Sequence, residues 1–168
     1  MKKYSFIVIA VAIITLVADC KSKPKTREEQ IKEFRSELTS QDTAAMLRIC
    51  DDAMEQLKAK KIDQVIANLY EYDDSTKAIS KLSEKMDKRL RRQFKMFPVL
   101  DYKRQYFSFM LEGCNDVKYA ITFATAEQAG TKEAPITMFM FNPVRVDGEW
   151  KLCVKTTKDE IDEEHLLN

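Results

Sequence analysis

From Asp101 to Thr156 the chain runs through four stretches rich in apolar, aromatic and β-branched residues, the last two joined by Val146-Asp147-Gly148-Glu149-Trp150. Tyr102–Leu111 sets Tyr102, Tyr106 and Met110 against Phe107, Phe109 and Leu111. Val117–Ala124 sets Val117, Tyr119, Ile121 and Phe123 against Lys118, Ala120, Thr122 and Ala124. This two-residue period marks a half-buried β-strand, because successive side chains point to opposite faces. Ile136–Val146 is apolar on both faces, and the last stretch carries Trp150, Leu152 and Val154 on one side. Asp147-Gly148 predicts a type I′ hairpin, since that turn needs positive φ at both central positions. A sheet of four such strands must bury one face, so the rest of the chain has to supply a cover.

The cover is legible upstream. Thr26-Arg27-Glu28-Glu29 is a capping box that opens a helix to about Leu38, with Ile31, Phe34 and Leu38 as a thin apolar stripe. Asp42 is placed to cap a second helix, on which Met46, Ile49, Cys50, Ala53, Met54 and Leu57 share one face. Ile62, Val65, Ile66, Leu69 and Tyr70 repeat the pattern on a shorter helix. Ser75 or Thr76 opens another, carrying Ile79, Leu82, Met86, Leu90 and Phe94, which Pro98 ends. The expected class is α+β: N-terminal helices packed on a curved antiparallel sheet of about four strands. The strand with two apolar faces needs a second cover, either the first helix or another copy of the protein.

Lys2 and Lys3 precede the apolar run Phe6–Ala18, which at thirteen residues is too short to span a bilayer and reads as a signal peptide. Leu16-Val17-Ala18-Asp19-Cys20 resembles a bacterial lipobox, although Asp19 stands where a small residue is usual. Ordinary signal cleavage, or an uncleaved short anchor, is the alternative. The expected division is 1–19 signal peptide, 20–25 lipidated Cys20 and tether, 26–157 one domain, and 158–168 an acidic tail. Lipidation of Cys20 implies anchoring to the membrane in the envelope of a Gram-negative bacterium, and the basic rather than acidic residues after it predict that the chain faces the periplasm.

Without the leader the chain carries 26 basic and 26 acidic side chains, so it lacks the basic footprint of a nucleic-acid binder. Lys81, Lys85, Lys88, Arg89, Arg91, Arg92 and Lys95 crowd one helix, but Glu84 and Asp87 break the run, which reads as a solvated face. The single histidine, His165, lies in the tail, and Cys50, Cys114 and Cys153 have no metal-ligand spacing. No metal site, cofactor or catalytic residue is expected. In a simple meander Cys114 and Cys153 lie three strand spacings of about 4.8 Å apart, beyond the ~7 Å reach of a disulfide, and Cys50 reads as a small buried hydrophobe.

Met54–Tyr70, a helix-turn-helix around Lys60-Lys61-Ile62-Asp63, and Val144–Val154, with Val-Asp-Gly-Glu-Trp-Lys-Leu, carry a resemblance to the nuclear transport factor 2-like cone, also called cystatin-like or SnoaL-like, in the form found in small bacterial lipoproteins. The resemblance covers about residues 42–156 and implies a pocket between helices and concave sheet, with homodimers formed through the outer sheet face. Tyr106, Met110, Tyr119, Phe123, Met138 and Trp150 are the candidates for lining such a pocket, with plain core as the alternative. The family's enzymes use pocket Asp, His or Tyr residues. Here no Asp or Glu lies within Tyr102–Leu111, Val117–Ala126 or Pro135–Val146. The expected function is a non-catalytic, membrane-anchored binding module for a small hydrophobic ligand or protein partner. A scaffold acting through the outer sheet face and an acid–base isomerase or dehydratase are the alternatives.

Overall fold

The computed structural model describes residues 24–73 and 75–156. The leader, Cys20, the tail 158–168 and His165 lie outside the described residues. Two capping boxes start the helical layer. Thr26 and Glu29 exchange bonds at the head of α1 (Arg27–Glu37), and Thr39 and Asp42 do the same for α2 (Ser40–Lys58). Thr39, not Asp42, is therefore the cap of α2, and Asp42 is its partner at the third helical residue, in the first turn. α3 (Ile62–Asn68) follows after Lys60, which takes a positive φ of 61°.

The sheet has six strands rather than four, and it is mixed rather than wholly antiparallel. β1 (Leu69–Asp73), β2 (Ala78–Lys81), β3 (Asp101–Phe109), β4 (Asn115–Thr122), β5 (Ile136–Val146) and β6 (Glu149–Thr156) lie in the order β2-β1-β6-β5-β4-β3. β1 runs parallel to β6, and every other pairing is antiparallel. Leu69 and Tyr70 continue a helical stripe along the chain, yet they leave the helix to pair with Leu152 and Cys153. Likewise the helix expected from Ser75 begins only at α4 (Glu84–Met96), where the Ser83 hydroxyl accepts from Met86 N at 3.2 Å. Glu71 on β1 fixes that start by accepting from Ser83 N (2.9 Å) and Oγ (2.6 Å). Asp147 (φ 49°) and Gly148 (φ 82°) form the β5–β6 turn with the positive dihedrals read from the sequence. The polar β4–β5 connection holds one helical turn, α5 (Ala126–Ala129), capped by Thr125.

One face of the sheet carries the main core. Met46, Cys50 and Met54 of α2, Val65 of α3 and Leu90 and Phe94 of α4 bury Val117, Tyr119, Phe139 and Phe141. α1 joins this layer through Phe34 and Leu38, and Arg35 Nε donates to Phe109 O at 3.0 Å, so α1 does not cover the opposite face. On that face a smaller cluster of Tyr72, Val144 and Cys153 packs with Tyr70 and Ile79. The β3–β4 turn reaches it: Glu112 O accepts from Tyr72 Oη at 3.4 Å, and Glu112 Oε2 accepts from Arg145 N at 3.0 Å. Among the described residues no helix is long and apolar enough to cross a membrane.

Candidate functional site

α2 is the element that joins helices to sheet, and it does so with carboxylates on two sides, Asp42 toward β5 and β6 and Asp51 and Glu55 toward β3 and β4. Near its start, Asp42 Oδ1 accepts from Trp150 Nε1 at 3.1 Å and lies 3.3 Å from Arg145 Nη2, while the Arg145 guanidinium stacks 4.7 Å over the Trp150 ring. The Thr39 bonds, the indole donor and Arg145 hold the Asp42 carboxyl down at about 2. About two and a half turns on, Asp51 accepts from Tyr119 Oη (2.6 Å) and Arg104 Nη1 (2.8 Å). One turn further, Glu55 accepts from Tyr102 Oη at 2.6 Å, and Lys58 pairs with Asp101 at 2.9 Å.

Burial, reinforced by the adjoining carboxylates, pushes both tyrosine hydroxyls upward, so near neutral pH they are protonated donors rather than bases. Arg104 balances Asp51. The rungs are therefore a clamp of charge-assisted bonds. Sequence reasoning missed them because it searched the strands for acids, and these acids sit on the helix. Their spacing (Asp51, Glu55, Lys58) was the available signal.

The six candidate residues do not share one pocket. Tyr119 is fully buried core. Phe123 packs partly buried against the core, its ring edge-on to Phe97 at 5.0 Å. Met110 sits just past β3, its amide donating to Asn115 Oδ1 at 3.2 Å. Trp150 lines a cleft of about 260 Å³ between α2, α3 and β6, with Ile49, Ala53 and Leu152. Tyr106 and Met138 lie on the outer face, 47% and 50% exposed. A bulge between Arg104 and Tyr106 explains the first: Arg104 pairs with Tyr119, yet Tyr106 pairs with Lys118, so the extra residue Gln105 turns Tyr106 away from the helices. Met138 lies opposite Ala120, also on the outer face, and reaches the rim of a second cleft.

That second cleft, about 220 Å³, lies between α4 and β5, walled by Met86, Leu90, Phe139, Phe141 and Val154. Neither cleft is lined by Asp51 or Glu55. Cys50, Cys114 and Cys153 are free thiols, as the meander order of β3 to β6 leads one to expect for Cys114 and Cys153, and Cys114 sits at the β3–β4 turn. The next residue, Asn115, donates through its amide to Asn142 Oδ1 at 3.1 Å, and Asn142 is the β5 partner of Cys153. Among the described residues no cluster of His, Cys, Asp or Glu could hold a metal ion.

No family model and no curated protein matches the chain. Solved structures that resemble it include the following three. One is a Campylobacter jejuni protein described as a nuclear transport factor 2-like transpeptidase, at 10% identity and a TM-score of 0.38, covering 64% of this chain and 96% of its own. A Nostoc punctiforme protein of unknown function with a cystatin-like fold gives 10%, 0.42, 73% and 96% for the same quantities. A Shewanella putrefaciens protein described as a SnoaL-like polyketide cyclase gives 11%, 0.28, 73% and 97%. At these identities and TM-scores no chemistry transfers. The likeness is to nuclear transport factor 2-like, cystatin-like and SnoaL-like folds, and the chain's own helices-on-a-mixed-sheet topology establishes the α+β class.

Proposed function

We propose that the chain is a non-catalytic interaction module of the cell envelope, tethered through lipidated Cys20 and working through the outer face of β3, β4 and β5. One observation carries this reading. Tyr106, Ile136, Met138 and Met140 are 47%, 60%, 50% and 43% exposed on that face, where neighbouring rungs place Met138 opposite Ala120 and both Tyr106 and Met140 opposite Lys118. Large apolar side chains gathered on one exposed face, here around Lys118, mark an interaction site. The helix-facing side is filled by fully buried Tyr119, Phe141 and Val117, which favours the surface over an interior pocket.

The partner we assign to this face is a second copy. Ile136, Met138 and Met140 form a column at every second residue of β5, which a two-fold axis along the strand sets against itself. Methionines adapt to such a repeat because their side chains are unbranched and polarizable. With 26 basic and 26 acidic side chains beyond the leader, two copies meet without net repulsion.

Sedimentation equilibrium of the chain from Lys21 onward tests this. A dimer that Met138→Lys converts to monomer, with an unchanged circular dichroism spectrum, supports the reading. A wild-type chain that stays monomeric at 100-fold increasing concentrations rejects it.

A further inference from the structure

We infer that the acidic segment Asp159–Glu164 folds back onto α4, with its carboxylates on the basic flank of that helix and the Ile161 side chain seated in the cleft between α4 and β5. α4 separates its charges by side. Glu84 pairs with Lys88 at 2.6 Å, and Arg91 is held by Asp87 at 2.6 Å and by Asp63 of α3. With Asp63 counted, these acids match Lys88, Arg91 and Lys95 in number on the side of α4 toward α3. Lys85, Arg89 and Arg92 follow one another at four and three residues, a stripe along the other side, and all three are exposed. Arg89 lines the cleft together with Met86, Leu90 and Gln93, so the basic excess of α4 borders β5.

The chain itself delivers a counter-charge to this place. The β5–β6 ladder runs from Val146 opposite Glu149 to Asn142 opposite Cys153, so β6 heads toward the first half of β5. There Ile136–Phe141 except Phe141 pair with Val117's neighbours along β4, and among the described residues no strand pairs with their other side. Val154 lines the cleft two residues before Thr156, the last described residue. The sequence continues Thr157-Lys158-Asp159-Glu160-Ile161-Asp162-Glu163-Glu164, a run of carboxylates around one large aliphatic side chain. From Thr156 to Ile161 an extended chain spans at most about 17 Å, and α4, with 13 residues, is about 20 Å long. The segment therefore reaches the cleft from the end of β6, and the acids around Ile161 reach the basic stripe.

Charge and shape each supply part of the fit. Exposed ion pairs are weak singly, so charge alone fixes no register. Met86, Leu90, Phe139, Phe141 and Val154 give the cleft apolar walls, and its volume of about 220 Å³ exceeds the roughly 150 Å³ that accepts benzene, so a four-carbon side chain enters. With Ile161 there, its acidic neighbours stand at the mouth beside Arg89, with Lys85 and Arg92 about one turn away on either side. Lys85 and Arg89 have interactions of their own, but an ammonium offers three donors and a guanidinium five, so each can take a further carboxylate. Asp116, on β4, is the acid in the lining and also has an interaction of its own. Set against Lys85, Arg89 and Arg92, it leaves the excess positive.

The test follows the methyl groups of Ile161, Met86 and Leu90 by NMR in the ¹³C-labelled chain from Lys21 onward. The expected result is nuclear Overhauser contact of the Ile161 methyls with those of Met86 and Leu90. Arg89→Glu with Arg92→Glu turns the flank acidic and should abolish the contact, and adding Glu160→Lys with Glu163→Lys should restore it. No contact in the wild-type chain overturns the proposal, even where the charge variants fail to fold, and contact that survives the reversal unchanged overturns the role of charge. Contact found only between differently labelled copies would make the occupant a second copy's segment and overturn the assignment within one chain. Movement of the α4 amides on adding phosphatidylglycerol vesicles, with Ile161 making no contact, would give the basic flank to an anionic lipid surface instead.

Discussion

Gly113 lies directly against the ring of Tyr72: a β-carbon added there would sit 2.0 Å from Tyr72 Cε1. Gly113 also holds a φ of +78°, so its lack of a side chain serves both the turn and the contact. The β3–β4 turn can thus close over Tyr72, whose hydroxyl donates to Glu112 O.

Gly113→Ala should destabilise the domain by about 3 kcal/mol, combining overpacking with a strained left-handed residue. Tyr72→Ala opens space beneath the turn, so the double variant should be less destabilised than the sum of the two single variants. Urea midpoints for the four proteins measure this, and simple additivity would mean that the close approach has no energetic weight.

Asp42 predicts a pH effect. Its carboxyl sits at about 2 in the fold against an ordinary 3.8, so its stabilisation is fully present above about pH 4 and is lost as pH falls toward 2. Asp42→Ala should cost about 2 kcal/mol at pH 7, through the lost capping bond and the unpaired Trp150 and Arg145 donors. Denaturation of both proteins at pH 7 and pH 2.5 should show the gap narrowing in acid. An equal gap at both would remove the charge from the account.

The clamp along α2 predicts a stability effect. Tyr119→Phe keeps the buried ring and deletes its 2.6 Å bond to Asp51, leaving a carboxylate that Arg104 still partners. The cost should be about 1 kcal/mol, at the low side for bonds to charged groups because Asp51 is 39% exposed. Tyr119→Leu also deletes the aromatic contacts and should cost several times more, by about 3 kcal/mol. Thermal melts of the two variants distinguish bond from packing.

Thiol reactivity follows burial. Burial pushes Cys153 up to about 12 and Cys50 higher still, so neither offers thiolate at pH 8, whereas Cys114 is partly exposed. Iodoacetamide should label one site per native chain from Lys21 onward, at Cys114, and all three only in denaturant. Peptide mapping that finds Cys50 labelled in the native state would contradict the packed α2 face.

Much of this architecture is written in local chemistry. The Asp147-Gly148 turn, the Thr26 capping box, the amphipathic stripe on α2 and the positions of β3 to β6 each depend on residues within a few places of one another. Positive φ, free helix amides and side-chain alternation are short-range costs and gains, and a reader of the chain can weigh them without the fold. The same locality misleads at Leu69–Tyr70 and Ile79, where helical spacing continues into residues that become β1 and β2. Five residues of strand are too few to outvote a stripe, and what makes them strand is the backbone of β6, far along the sequence.

The site was less legible, for the same reason at longer range. The bulge at Gln105 decides that Tyr106 faces out, and only register with β4 reveals it. The Asp51–Tyr119 bond joins residues 68 positions apart, and the Asn115–Asn142 bond joins β4 to β5 across 27. By itself the sequence determined the class and most element boundaries, while Glu71 and Asp73 show that acids do enter the sheet, on the strand that was read as helix. Tertiary structure alone decided strand order, the parallel pairing, which face each aromatic serves and which polar groups meet, because those depend on hydrogen bonds and burial between segments that have no local preference for one another.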